Sequence, residues 1–200
     1  TVLDWKNLTI QGVYGEKPFA YADMKAYLDT FGGELQPYVC DTGSFLRTAH
    51  RAGQRILFEA QLGALRDVDL GIYPYTSSSS PLAAYAPIGA GVPDVRIDQV
   101  IGVVKAYSTC VGEGPFVTEW SGEEAERLRK EGNEYGAATG RPRRVGPFDV
   151  VATRYGLTIQ GATQVALTKL DTLSYMDRIP VCVAYELNGK RVESFPFTNA

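Results

Sequence analysis

Three arginines, Arg141, Arg143 and Arg144, fall within four positions at the end of the run Gly132-Asn133-Glu134-Tyr135-Gly136-Ala137-Ala138-Thr139-Gly140-Arg141-Pro142-Arg143-Arg144. Guanidinium forks match carboxylate and phosphate geometry, and glycines let backbone N–H groups come close to an anion. The run holds too little apolar surface to nucleate a core, so it reads as a loop. An isolated Arg cluster is more commonly a solvated basic loop. A nucleotide-type motif later in the chain favours an anion site instead.

That motif is Thr168-Lys169-Leu170-Asp171, directly after the strand-like Gln164-Val165-Ala166-Leu167. A carboxylate at a strand's C-terminal end accepts two parallel hydrogen bonds, which fits guanine N1–H and its exocyclic amine. Adenine offers no such donor pair. A lysine stem packs along a base while its ammonium reaches polar atoms. Lys-x-Asp alone is a weak signal, strengthened here by its place at the carboxyl edge of an α/β sheet. A third segment runs from Phe58-Glu59-Ala60-Gln61-Leu62-Gly63 to Asp69 and on through Gly71-Ile72-Tyr73-Pro74-Tyr75-Thr76-Ser77-Ser78. It offers neutral donors and acceptors for a purine or a phosphate, and equally reads as a plain Gly/Ser turn region.

The elements that must position these residues are mixed. Helices are expected over Pro18–Asp29 with a Gly32-Gly33 stop, over Asp41–Ala52 with Asp41 or Thr42 as N-cap, over Glu123–Glu131 and over Phe148–Gly156. Buried strands are expected at Arg55–Ala60, Ile101–Ser108 (after a helical turn at Val95–Val100) and Gln164–Thr168. Val181–Leu187 and Arg191–Phe197 flank Asn188-Gly189, a strong hairpin signal. The expected fold is α/β: a central, mostly parallel sheet flanked by helices, with an antiparallel hairpin near the C-terminus. Residues 1–53 read as a helical segment and 54–200 as the α/β core carrying the ligand loops.

Composition bounds the function. Two hundred residues at 44% hydrophobic content fit one ordinary domain or one piece of a larger protein. Twenty basic against 23 acidic residues leave a net charge of −3, which gives no bulk attraction to nucleic acid or membranes. Cys40, Cys110 and Cys182 are widely spaced with no CxxC pair, which favours a reducing compartment and disfavours zinc or disulfides. No apolar run approaches the roughly 18 residues of a spanning helix. A cytoplasmic protein is expected. The start at Thr1 without a Met suggests a piece of a longer protein.

In this order and spacing the segments resemble adenylosuccinate synthetase, from about Asp41 to Glu186. The specific blocks are Phe58–Tyr75, Val103-Val104-Lys105-Ala106-Tyr107-Ser108 with Val111-Gly112-Glu113-Gly114-Pro115-Phe116, the Gly132–Arg144 loop, and Leu167–Asp171. The resemblance implies GTP-dependent joining of L-aspartate to IMP, giving adenylosuccinate, GDP and phosphate, by a homodimer that uses Mg2+. It implies Gln61 (or Leu62 by strict alignment) as the catalytic residue near the reacting oxygen. Gln61, Leu62, Thr76, Ser77, Val111 and Arg141 would meet IMP. Ala137, Ala138, Thr139, Gly140, Arg141 and Arg143 would meet aspartate, and Arg143, Lys169, Leu170 and Asp171 would meet GTP. No metal ligand is expected in this chain; the Mg2+ site is expected in an amino-terminal part it lacks.

The departures from the family pattern are specific. Glu59-Ala60-Gln61-Leu62-Gly63 stands for the usual Glu-Gly-Ala-Gln-Gly, Ser77 for a threonine, Ala138 for a threonine of the aspartate loop, Cys110 for an arginine, Arg66 for a leucine and Pro147 for a tryptophan. The family's phosphate loop, catalytic histidine and carboxyl-terminal guanine-contacting segment are not found. The single His50 reads as an ordinary helix residue. The chain alone is therefore expected to be inactive. The alternatives are a non-catalytic nucleotide-binding or scaffold relative, or a ligase for another amino acid.

Overall fold

The computed structural model describes residues 1–60 and 62–196, in two compact units, Thr1–Thr48 and Ala49–Ala200. In the first unit Thr1 and Asp4 form a reciprocal capping box that starts helix α1 (Val2–Tyr14), and Gly15 ends it in the left-handed conformation. The Asn7 side chain then accepts from the Phe19 amide and donates to the Phe19 carbonyl, both at 2.9 Å, which fixes the turn into α2 (Tyr21–Leu35). The expected helix at Pro18–Asp29 is thus real but displaced. Gly32 and Gly33 lie inside it, because two glycines cost a helix only about 1 kcal/mol each. Helix α3 (Thr42–Arg51) is capped by Asp41, which accepts from the Ser44 amide at 3.0 Å. His50 is exposed in its last turn.

The second unit holds the sheets. Arg55–Ala60 forms no strand and is irregular throughout, since no backbone among the described residues pairs with it. Val95–Val100 is likewise not helical. After a one-turn helix α4 (Ala86–Gly89), the expected single strand over Ile101–Ser108 is broken at Ala106 into β1 (Ile101–Lys105) and β2 (Tyr107–Cys110), which belong to different sheets. Helix α5 (Gly122–Gly132) follows, then β3 (Arg144–Asp149), α6 (Val150–Gln160) and β4 (Gln164–Thr168). Phe148 and Asp149, expected in a helix, belong to β3. Asp149 ends that strand by capping α6 through the Ala152 amide at 2.9 Å.

Strand β1 pairs parallel with β4 in the register Ile101↔Gln164 to Lys105↔Thr168. The connection between them runs through β2, α5, β3 and α6, since parallel neighbours need a long crossover. Strand β3 lies between β2, antiparallel, and β5 (Val181–Cys182), parallel. The hairpin β6 (Tyr185–Leu187) and β7 (Lys190–Val192) turns at Asn188-Gly189 as expected, though shorter than the sequence suggests; Phe197 lies outside the described residues. The α/β fold with a terminal hairpin therefore stands.

The buried cluster of Ala106, Tyr107, Ala125, Leu128, Val145 and Leu173, with Trp120 and Met176 against it, joins α5 to the β2–β3 sheet. One expectation fails here. Strand β4 is largely exposed: Ile101 and Val103, 54% and 71% exposed, share one face of the β1–β4 pair, while Val165 and Leu167, 53% and 54% exposed, lie on the other, where Leu157 of α6 approaches Gly102.

Candidate functional site

The segment from Leu62 to Ser80 folds around one buried carboxylate. Asp67 is fully inaccessible, and its side chain accepts from the Asp69 and Leu70 amides at 2.9 and 2.8 Å and from the Ser80 hydroxyl at 2.6 Å. Burial pushes its carboxyl up, but these three donors outweigh burial and leave it below the usual aspartate value. The Tyr155 hydroxyl holds the Leu70 carbonyl at 2.7 Å, tying the turn to α6.

Beside this turn the Arg66 guanidinium reaches the Tyr75 carbonyl at 2.6 Å, the Val111 carbonyl at 2.9 Å, the Glu113 carbonyl at 3.2 Å and the Cys110 sulfur at 2.8 Å. It staples the hydroxyl-rich segment to the 110–114 loop. The result is an open concavity of about 380 Å³ lined by Leu62, Arg66, Tyr75, Thr76, Ser77, Val111 and Glu113. Four of the residues singled out from the sequence, Leu62, Thr76, Ser77 and Val111, are thus brought together. Gln61 lies outside the described residues. Leu62 is 56% exposed and holds φ 81°, a conformation that costs a branched side chain energy and turns it towards the concavity.

The basic loop is anchored at both ends. Asn133 ends α5 in the left-handed conformation, and Glu134, only 1% exposed, follows. Its Oε1 accepts from Lys105 Nζ at 2.8 Å and from the Tyr107 hydroxyl at 2.6 Å, and its Oε2 from Arg143 at 2.8 Å. Burial raises the Glu134 carboxyl, yet the bonds from Lys105, Tyr107 and Arg143 prevail and hold it below the usual glutamate value. Burial, then the Glu134 carboxylate, push the Tyr107 phenol far up.

Between these anchors the loop closes on itself. Tyr135 bridges Pro142, the Gly136 amide donates to the Arg141 carbonyl at 2.9 Å, and the Gly140 amide donates to the Gly136 carbonyl at 2.8 Å. The Thr139 hydroxyl accepts from the Arg141 amide at 3.3 Å. Ala137, Ala138, Thr139, Gly140 and Arg141 are all exposed.

The three arginines part company. Arg144 grips both Glu119 oxygens, and Gly114 and Gly112 carbonyls at 2.8 and 3.3 Å, so it is structural. Arg143 is held by Glu134, with its Nε buried and unpartnered. The Arg141 guanidinium has no hydrogen-bond or ion-pair partner among the described residues.

The third group sits at the carboxyl end of β4. Lys169 has φ 63° and its ammonium meets the Gly132 carbonyl at 2.9 Å, at the C-terminus of α5 where a cation is favoured. Leu170 and Asp171 are exposed, and the Asp171 carboxylate accepts no hydrogen bond among the described residues. The Lys105 and Glu134 anchor of the loop lies at the end of β1, the strand paired with β4, so both signals gather at one sheet edge. Sequence reasoning missed Glu134, Lys105 and Tyr107. A Glu two residues after a helix-ending Gly, with a Lys-x-Tyr at the junction of the two preceding strands, could have pointed to a buried ion pair.

Among the described residues no three His, Cys, Asp or Glu side chains converge on a cation position. Asp67, Glu119 and Glu134 are engaged by arginine, lysine, hydroxyl or backbone donors. No helix among the described residues is long and apolar enough to cross a membrane.

Comparison with known proteins adds to the geometry. A family model described as Adenylosuccinate synthetase matches residues 1–200. The adenylosuccinate synthetase of Caldanaerobacter subterraneus subsp. tengcongensis is 46% identical over 194 residues, which are 97% of this chain and 45% of that protein. That of Synechococcus sp. is 49% identical over 191 residues, 96% of this chain and 44% of the relative. The structure of fully ligated adenylosuccinate synthetase from Plasmodium falciparum superposes with a TM-score of 0.84 at 32% identity, over 93% of this chain and 45% of that one. The chain therefore spans a little under half the length of the relatives it matches.

Proposed function

Because the chain belongs to the adenylosuccinate synthetase family, we propose that it forms the ligand-contacting half of a GTP-dependent ligase that joins L-aspartate to IMP. The observation that carries this reading is the gathering of Leu62, Thr76, Ser77 and Val111 on one concavity. These are positions that the resemblance assigns to the purine nucleotide. Thr76 and Ser77 offer hydroxyls to a phosphate, Val111 offers apolar surface to the nucleoside, and Gln61 or Leu62 stands nearest the reacting oxygen.

In this reading the Ala137–Gly140 stretch and Arg141 receive the aspartate carboxylates. Arg143, Lys169, Leu170 and Asp171 serve GTP, with the unengaged Asp171 carboxylate reading guanine. Preorganised cations facing charge that develops in transfer are the main way such sites lower barriers. Mg2+ would screen the transferring phosphoryl group; its ligands belong to a part of the relatives outside this span. A homodimer and a cytoplasmic setting complete the proposal.

A second reading has its own observation. Leu62 puts an apolar side chain where strict alignment expects glutamine, and Ala138 removes a loop hydroxyl. Both favour a ligase that takes another amino acid, or a binding relative. The test is to graft residues 1–200 into the matching span of the Caldanaerobacter relative and assay amino acids one at a time. GTP turnover with L-aspartate supports the first reading; turnover only with another amino acid supports the second. The isolated chain should form no adenylosuccinate.

A further inference from the structure

We propose that Glu134 is the positioning residue of the Gly136–Arg143 loop, fixing its two arms so that Arg141 alone is presented unpaired to a ligand carboxylate. The proposal deepens the ligase reading and rests on it for the identity of the ligand, but not for the geometry. Glu134 precedes the loop and Arg143 ends it, and they are joined twice. One bond is the ion pair at 2.8 Å; the other runs from the Arg143 amide to the Glu134 carbonyl at 3.0 Å. Arg129, from α5, adds a third tie by donating to the Arg143 carbonyl at 2.8 Å.

The same carboxylate reaches into the β1 and β2 strands through Lys105 and Tyr107. Two of the three side-chain donors to Glu134 come from the β1 and β2 strands and the third from the loop's own last residue. The loop's base is thereby bound to the buried cluster that contains Tyr107 and Leu128. A carboxylate this enclosed is held only where its lone pairs are filled, and here they are.

Two roles can be separated by sign. Lys105 and Arg143 set two positive charges against one negative, leaving one net positive charge at the loop base. If Glu134 merely tempered that charge, Glu134→Gln would raise the net to two and tighten the binding of any anion. If Glu134 positions the loop, the same substitution releases Arg143 and the arms, and binding of a dicarboxylate weakens despite the added charge.

Two measurements decide it. The first is amide hydrogen exchange on the 200-residue chain. Glu134→Gln should speed exchange at Gly136, Gly140 and Arg143 at least tenfold while Leu128, in α5, keeps its protection. The second is kinetics in the graft. The KM for L-aspartate should rise at least tenfold, and the KM for GTP by a smaller factor through the released Arg143, with kcat within about threefold, whereas general loss of structure would lower kcat as well. Tyr107→Phe removes one donor without changing charge and should move the same amides by a smaller factor, which keeps the test decisive if the Gln variant fails to fold. Unchanged exchange at the three loop amides in both variants, or tighter L-aspartate binding by Glu134→Gln, overturns the proposal. An inactive wild-type graft would contradict the ligase reading instead and leave the exchange result to judge Glu134.

Discussion

Replacing Arg141 with alanine removes a guanidinium that no described residue holds, so stability should stay within about 0.5 kcal/mol. A charge-assisted hydrogen bond to a ligand is worth about 1.5–3 kcal/mol. The KM for L-aspartate in the graft should therefore rise by roughly ten- to a hundredfold; an unchanged KM would remove Arg141 from the site. Asp171→Asn keeps the shape and loses the acceptor pair, and calorimetry should show guanine preference over adenine nucleotides falling; an unchanged preference would count against the base-reading role.

Acid should weaken the second unit in a predictable direction. The carboxyls of Glu134, Asp67 and Glu119 all lie below their usual values when folded. Such groups stabilise above the unfolded pKa and lose that contribution as pH falls through the folded one. Urea midpoints should hold from neutrality to about pH 5 and drop below about pH 4. In Glu134→Gln the drop should be shallower but not absent, because Asp67 and Glu119 remain. The groups facing Glu134 are the Lys105 ammonium, the Tyr107 hydroxyl and the Arg143 guanidinium.

Among the elements, the junction between β3 and α6 is the most concentrated. Asp149 caps α6 and accepts the buried Tyr185 hydroxyl at 2.6 Å, so one side chain joins strand, helix and hairpin. Asp149→Ala should lower stability by about 2–4 kcal/mol, combining a lost cap with an unpaired phenol; a loss under about 1 kcal/mol in chemical unfolding would refute this. Gly132→Ala is the matching change at the loop. Its Cβ would sit 2.5 Å from the Tyr107 hydroxyl, which must then leave Glu134.

This junction also marks what the sequence could and could not tell. The helices at Thr42–Arg51 and Gly122–Gly132 and the Asn188-Gly189 hairpin follow local rules of capping, charge and turn chemistry, and were legible. Helix α6 was placed two residues early because Phe148 and Asp149 look apolar-periodic, whereas pairing with Val181 and Cys182 draws them into a strand. Arg55–Ala60 carries a strand's composition but finds no partner, and pairing is a tertiary fact. At the site, Leu62, Thr76, Ser77 and Val111 follow from the family resemblance. The staple of Arg66 and the buried carboxylate of Glu134 do not, since each depends on groups 27 to 47 residues away.

At the level of the molecule, the exposed β1–β4 pair is the outstanding feature. Parallel strands ordinarily bury both faces, and here Ile101 and Val103 stand exposed on one face and Val165 and Leu167 on the other. The relatives are more than twice as long as the matched span, so in the graft these side chains should be covered. Val103→Ser with Leu167→Ser, one on each face, should reduce aggregation of the isolated chain yet destabilise the graft by about 1–3 kcal/mol per site. Equal stability of graft and variant would show that both faces stay open.

The ligase account meets its most direct test in that graft, assayed for GTP-dependent adenylosuccinate formation from IMP and L-aspartate beside the isolated chain and the Arg141→Ala graft. The account predicts turnover by the graft, none by the isolated chain, and loss at low L-aspartate in the Arg141→Ala protein. A folded graft that consumes no GTP with L-aspartate, or one whose turnover is indifferent to Arg141, would contradict it.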